Sequence, residues 1–201
     1  MNEFLNKAIR DSKQPGRVPM DYEHRYETDS FAALSPAGYD ALPPSISKRH
    51  FDHPPKLRTS RNDKTGQVIA RIIKMHLGSL HIFNPQEPYD CRISMNLEVN
   101  LDRPDLDPDE LIEQATEAKP APLSRKKDRL SYKHLAYSID LTKVETRGFA
   151  PKYELELEVD SSLLREQMQR MQSGQEHAFT DVVSGFVDDA TFLMRQRPAA
   201  G

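Results

Sequence analysis

"YELELEVD", residues 153–160, alternates without a break. Successive side chains of an extended chain point to opposite faces, so Glu154, Glu156, Glu158 and Asp160 share one face while Tyr153, Leu155, Leu157 and Val159 share the other. An ordinary half-exposed strand turns such charges to water and its apolar face to the core. Turned inward, three neighbouring carboxylates repel one another and need cations or a metal beside them. The direction of the acidic face therefore decides between an open sheet with a charged surface and a barrel with a polar bore.

The same parity count runs through the chain on either side. "RISMNLEVN" (92–100) puts Arg92, Ser94, Asn96 and Glu98 together, opposite Ile93, Met95, Leu97 and Val99. "KDRLSYK" (127–133) aligns Lys127, Arg129, Ser131 and Lys133, "SIDLT" (138–142) aligns Ser138, Asp140 and Thr142, and "KLRTS" (56–60) aligns Lys56, Arg58 and Ser60. "MDYEHRYETD" (20–29) sets Asp21, Glu23, Arg25 and Glu27 against Tyr22, His24, Tyr26 and Thr28. Lys74 is ambiguous, because Val68, Ala70 and Ile72 share its parity. The polar faces differ in character, one acidic, one basic and one mixed, which a uniformly solvated sheet does not require.

Turn and helix signals complete the outline. Phe4, Leu5, Ala8 and Ile9 predict a short amphipathic helix over 2–11, and the Pro-rich stretch 34–55 reads as loop with one helical turn. Asn62 to Gly66 predicts a hairpin, "LHIF" (80–83) and the strand from Cys91 flank a turn, and "DPDELIEQAT" (107–116) reads as a short helix within a surface insertion over 103–124. After 160, a helix carrying Leu163, Leu164, Met168 and Met171 ends at Gly174, and a second aligns Phe179, Val182, Val183, Phe186, Val187, Ala190 and Leu193. Strands followed by two helices predict an α+β chain: an antiparallel β tunnel or barrel with C-terminal helices packed outside, in one domain over 1–201.

Composition narrows the chemistry. The net charge of −3 gives no general attraction for a polyanion, so phosphate or nucleic acid must be held by a local cluster of Lys and Arg. Cys91 is the only cysteine, which excludes an intramolecular disulfide and leaves no thiolate set for zinc. No apolar run approaches the roughly 20 residues that span a bilayer, so no membrane role is expected and a nuclear or cytoplasmic protein is. Aligned carboxylates make a hard oxygen site that suits Mg²⁺ or Mn²⁺. Beside several cations, that is the chemistry of phosphoryl transfer.

Taken in order, "KLRTSRNDKTGQVIARIIK", "YDCRISMNLEVNL", "RKKDRLSYKHLAYSIDLTKVE" and "YELELEV" resemble the RNA 5′-triphosphatase of fungal mRNA capping, the β subunit of the capping enzyme, a triphosphate tunnel metalloenzyme. The resemblance covers about Met1 to Leu193. It implies an eight-stranded antiparallel tunnel that removes the γ-phosphate from the 5′-triphosphate end of nascent RNA, with Mg²⁺ or Mn²⁺ as cofactor. It also implies a guanylyltransferase partner, a homodimer and a nuclear location. Carried over by motif, Arg58, Lys74, Lys127 and Arg129 hold the phosphates and Glu158 is a metal ligand. Glu154 and Glu156 complete the acidic strand, one of these or Glu98 orients the attacking water, and Asp140 and Thr142 support the tunnel floor.

The family's first tunnel strand carries a Glu-x-Glu pair of metal ligands, and no Glu-x-Glu precedes Glu154 here. The expectation is a chain that begins after that strand, with an unpaired sheet edge, an incomplete metal site and little activity alone. Ser138 stands where some relatives place a basic residue. Two further readings stay open: a tunnel domain that binds a triphosphate or a capping partner without turnover, and a structural β domain with its charges in water.

Overall fold

The computed structural model describes residues 1–47, 53–113 and 123–196. Helix α1 (Asn2–Ser12) leads into strand β1 (Asp21–Ala33), and two short helices follow, α2 (Pro36–Asp40) and α3 (Pro44–Ser47). Strands β2 (Lys56–Asn62), β3 (Val68–Ile82), β4 (Cys91–Asn100), β5 (Leu123–His134), β6 (Tyr137–Thr146) and β7 (Lys152–Val159) come next, and the chain continues into α4 (Ser161–Gln172) and α5 (Phe179–Met194).

The strands form one antiparallel sheet of seven in the order β4-β3-β2-β1-β5-β6-β7. The edges β4 and β7 are far apart along the sheet yet close in space. Glu158 on β7 feels the charge of Lys74 on β3, five strand steps away, which a flat sheet would separate by about 24 Å. The sheet is thus curled into an open half-barrel, with the acidic face of "YELELEVD" turned to the inside.

Local chemistry fixes the joints. Gly66 and Gly148 take positive φ (71° and 83°) in the β2–β3 and β6–β7 turns, where a side chain would be strained. Asn62 Oδ1 accepts from the Lys64 and Thr65 amides in the first of these. The Asp160 carboxylate accepts from the Ser162 and Leu163 amides at the start of α4, so the last residue of the opening motif is a helix cap.

The apolar faces look outward and are covered over much of the sheet, while Met95 on β4 and Tyr153 on β7 stay exposed at its edges. Leu34, Leu42, Ile46, Leu57, Ile73, Met75, Leu101 and Leu111 form one core where β2 and β3 meet α2, α3 and the segment after β4. On the other half, α1 and α5 lie outside β5 and β6: Tyr132 Oη donates to Asn2, Tyr137 Oη donates to the Val182 carbonyl, and Phe4 packs on Phe192 at 5.3 Å between ring centroids.

Three local expectations change. "LHIF" is no separate strand but the end of β3, which pairs with β4 out to Ile82. Residues 34–47 hold two helices instead of one turn, because Ser35 caps α2 through the Gly38 amide and Pro36 suits a first helical position. Residues 107–113 make turns and a bridge from Ile112 to Leu34, not a helix, since Leu111 is drawn into the core and its carbonyl accepts from the Ser35 amide. Residues 114–122 of the segment read as an insertion lie outside the described residues.

Candidate functional site

Register places the inward side chains in rungs. Arg25, Arg129, Thr142 and Glu154 stand side by side across β1, β5, β6 and β7, and Ser131, Asp140 and Glu156 form the next rung. Glu158 follows opposite Ser138. On the other side, Phe31 is opposite Arg58, Asp29 opposite Ser60, and Lys74 opposite Glu98. All ten residues singled out in the sequence therefore share the inner face.

They gather into three groups. In the first, Lys127 Nζ lies 2.5 Å from Asp29, Ser60 Oγ donates to Asp29 at 2.5 Å, and Arg58 adds its charge. Burial pushes the Asp29 carboxyl up, but the Lys127 and Ser60 hydrogen bonds and the Lys127 and Arg58 charges outweigh it and hold its pKa below the ordinary value. In the second, Arg129 donates to Asp140 at 2.5 Å and reaches Glu156 at 4.0 Å. Burial works against the Arg129 charge, and the carboxylates of Asp140, Glu27, Glu156 and Glu158 overcome it, so its pKa is raised.

The third group crosses the bore. Lys74 pairs with Glu98 at 3.1 Å and faces Glu158. Desolvation first, and then the charges of Glu156, Asp140 and Glu98, push the Glu158 carboxyl up against the pull of Lys74. Its surface is still open to solvent, as expected on the edge strand of a half-barrel. The ambiguous parity of Lys74 has a plain basis: Ala70 and Ile72 pair with Ser60 and Arg58 and share the inner face with it, while Val68 pairs with Arg61 beyond a register shift at Ser60/Arg61.

The sequence reading passed over Arg25, Glu27 and Asp29 as site residues. Arg25 pairs with Glu27 at 3.3 Å, and Asp29 is almost completely enclosed. The signal was present in the charged parity of "MDYEHRYETD", but a parity count cannot tell that this strand is the middle of the sheet.

A cleft of about 1570 Å³ opens between the β3–β4 hairpin and β7, lined by Lys74, Thr142, Glu154, Glu156 and Glu158 among others. Arg58 Nε, Arg129 Nε and Thr142 Oγ1 are buried without a hydrogen-bond partner. Buried donors on cationic side chains are costly to leave unmatched, and an anion with several acceptor oxygens satisfies them.

The family profile described as mRNA capping enzyme, beta chain, matches residues 1–199. This chain belongs to that family. Among curated capping-enzyme β subunits, that of Schizosaccharomyces pombe is 30% identical over 201 residues, covering 98% of this chain and 58% of its own length. That of Cryptococcus neoformans is 25% identical over 204 residues, covering 97% of this chain and 43% of its own length. The chain thus matches 58% and 43% of the length of these two β subunits. The structure of the S. pombe Pct1 RNA triphosphatase in complex with the Spt5 CTD superposes with a TM-score of 0.74 at 29% identity, covering 98% of this chain and 67% of the solved one. The half-barrel with C-terminal helices is the fold that the β-chain resemblance implied.

The family implies a divalent metal. The donors on the inner face are hard carboxylate oxygens, the right chemistry for Mg²⁺ or Mn²⁺. Among the described residues, however, no three His, Cys, Asp or Glu side chains converge on one point, because Asp140 is taken by Arg129 and Glu98 by Lys74. These residues do not by themselves make a complete metal site.

Proposed function

We propose that this chain supplies most of the tunnel of an RNA 5′-triphosphatase, which removes the γ-phosphate from the 5′-triphosphate end of nascent mRNA as the first step of cap formation. The observation that carries the reading is the row of cations Arg58, Lys127 and Arg129, with Arg58 Nε, Arg129 Nε and Thr142 Oγ1 unmatched, on the same inner face as the carboxylates of β7. Triphosphate oxygens accept from these donors and from Lys74. One of Glu98, Glu154 and Glu156 orients the attacking water, and Asp140 fixes Arg129. Glu158 would be a ligand of the divalent metal, whose charge would offset that of the phosphates. The nucleus, a guanylyltransferase partner and a homodimer belong to the same reading.

A second reading has its own support. The incomplete carboxylate set favours a domain that binds a triphosphate end without turning it over. Release of labelled γ-phosphate from triphosphate-ended RNA, with Mg²⁺ or Mn²⁺, separates the two when measured on this chain and on the chain joined to a strand bearing Glu-x-Glu. The enzyme reading expects little release from the first, metal-dependent release from the second, and a loss of about 100-fold or more in Arg129→Ala. Tight binding of the RNA with no release from either protein supports the binding domain.

A further inference from the structure

The β3–β4 hairpin is longer than the bore requires. The last β3 residue paired with β2 is Ile73, and beyond it β3 has only β4 as a neighbour out to Ile82. This arm runs about 23 Å from Lys74 to His81, and its tip turns back to the helices, where Glu87 meets Arg195 at 3.5 Å. One face is polar throughout: Lys74, His76, Ser79 and His81 on β3 stand opposite Glu98, Asn96, Ser94 and Arg92 on β4.

That continuity depends on the bulge. Without the extra residue between His76 and Gly78, Ser79 and His81 would fall on the outer face and Leu80 and Ile82 on the polar one. The rungs are tied across the strands by His76–Asn96 at 3.3 Å, Ser79–His76 at 3.2 Å and Ser79–Ser94 at 3.2 Å. The polar face and Tyr89 line the same cleft as Glu154, Glu156 and Glu158. On the arm beyond Lys74–Glu98, Asp90 lines the cleft and accepts from the Asn84 amide in the tip loop.

We infer that the arm is the path of the RNA chain behind its 5′-triphosphate. The inference rests on the reading of the bore as a triphosphate site and adds the part of the substrate that a small triphosphate lacks. Single-stranded RNA is held by flat side chains that stack on bases, by hydroxyls and amides that meet ribose and base edges, and by cations spaced along the backbone. His76, His81 and Tyr89 supply the first, Ser79, Ser94 and Asn96 the second, and Arg92 the third. The cleft wall also carries Tyr22, His24 and Lys143, but the arm is the segment that starts at Lys74 beside the acidic strand and keeps these groups in one row of paired residues.

Binding separates the arm from the bore without requiring turnover. Fluorescence anisotropy in EDTA compares a 5′-triphosphate oligoribonucleotide of ten residues with inorganic tripolyphosphate as competitor, for the whole chain and for the double variant His81→Ala, Arg92→Ala. Both side chains are solvent-exposed, and circular dichroism checks that the variant keeps its strands. The RNA dissociation constant is expected to rise about tenfold while that of tripolyphosphate stays within about twofold. The slope of log affinity against log salt becomes shallower by about 0.7 for the RNA, from the loss of one phosphate contact by Arg92. Equal weakening of both ligands, or no change in either, overturns the arm as the RNA path. If the unaltered chain binds neither ligand, the triphosphate reading itself fails, and a chain that binds tripolyphosphate but shows no gain from the attached RNA removes the arm alone.

Discussion

Lys127 shows how a buried charge pair serves a site and the fold at once. Its amine sits 2.5 Å from Asp29, whose side chain is 1% exposed. Removing one partner of such a pair leaves the other charge uncompensated in a low dielectric, so Lys127→Ala is expected to destabilise the chain by about 3 kcal/mol at neutral pH. The sign with pH follows from Asp29. Its folded-state pKa lies below the ordinary 3.8, so its contribution is fully present above that value and is lost as the pH falls through the lower folded value. Urea unfolding at pH 7 and at pH 3 checks this: the gap between wild type and Lys127→Ala should narrow in acid, and a gap that widens contradicts the pairing. Arg129 is held by Asp140 in the same manner, and its unmatched Nε is the donor left for a phosphate oxygen.

At the scale of elements, the chain's joints are capped by residues whose neighbours have other work. Asp160 ends the acidic run of β7, yet its carboxylate closes the first turn of α4 and does not share the bore. Backbone hydrogen bonds from Leu163 and Ser162 lower its pKa. Asp160→Ala should cost about 1 kcal/mol in chemical denaturation and leave tripolyphosphate binding unchanged. A loss of binding would place Asp160 in the site. Helix α5 is fixed by its contacts: Tyr137 Oη donates to Val182, and a methyl group added at Gly185 would stand 2.4 Å from that same hydroxyl. Val183 and Val187 on this helix remain exposed, while Phe192 is partly covered by Phe4.

For the whole molecule, the curl of the sheet converts seven modest strand faces into one concentrated field. Cations from β2, β3 and β5 and carboxylates from β1, β4, β6 and β7 meet on the sheet's inner face, and helices pack on parts of the outer face. A ligand that binds only this folded arrangement stabilises it by mass action. Inorganic tripolyphosphate at a hundred times its dissociation constant is therefore expected to add about 2.7 kcal/mol to the folded state, read as a raised melting temperature. The shift should vanish in the double variant Arg58→Ala, Arg129→Ala. A shift that survives there would move phosphate binding out of the bore.

Alternation, turn residues and cap residues are local properties, and they sufficed to locate the strands, with the end of β3 split off as "LHIF", together with α1, α4, α5 and the residues of the inner face from "KLRTS" to "YELELEVD". The direction of that face was not local. It follows from the curl that brings Glu158 near Lys74, and that curl arises from pairings between segments as distant as β1 and β5. For the same reason Asp29 could be counted with its strand but not seen as the buried partner of Lys127, nor Leu111 as core. The sequence by itself determined which side chains travel together, because strand geometry has a period of two. Only the tertiary structure decided which faces meet, because electrostatic pairing and burial depend on distances that the order of residues does not contain.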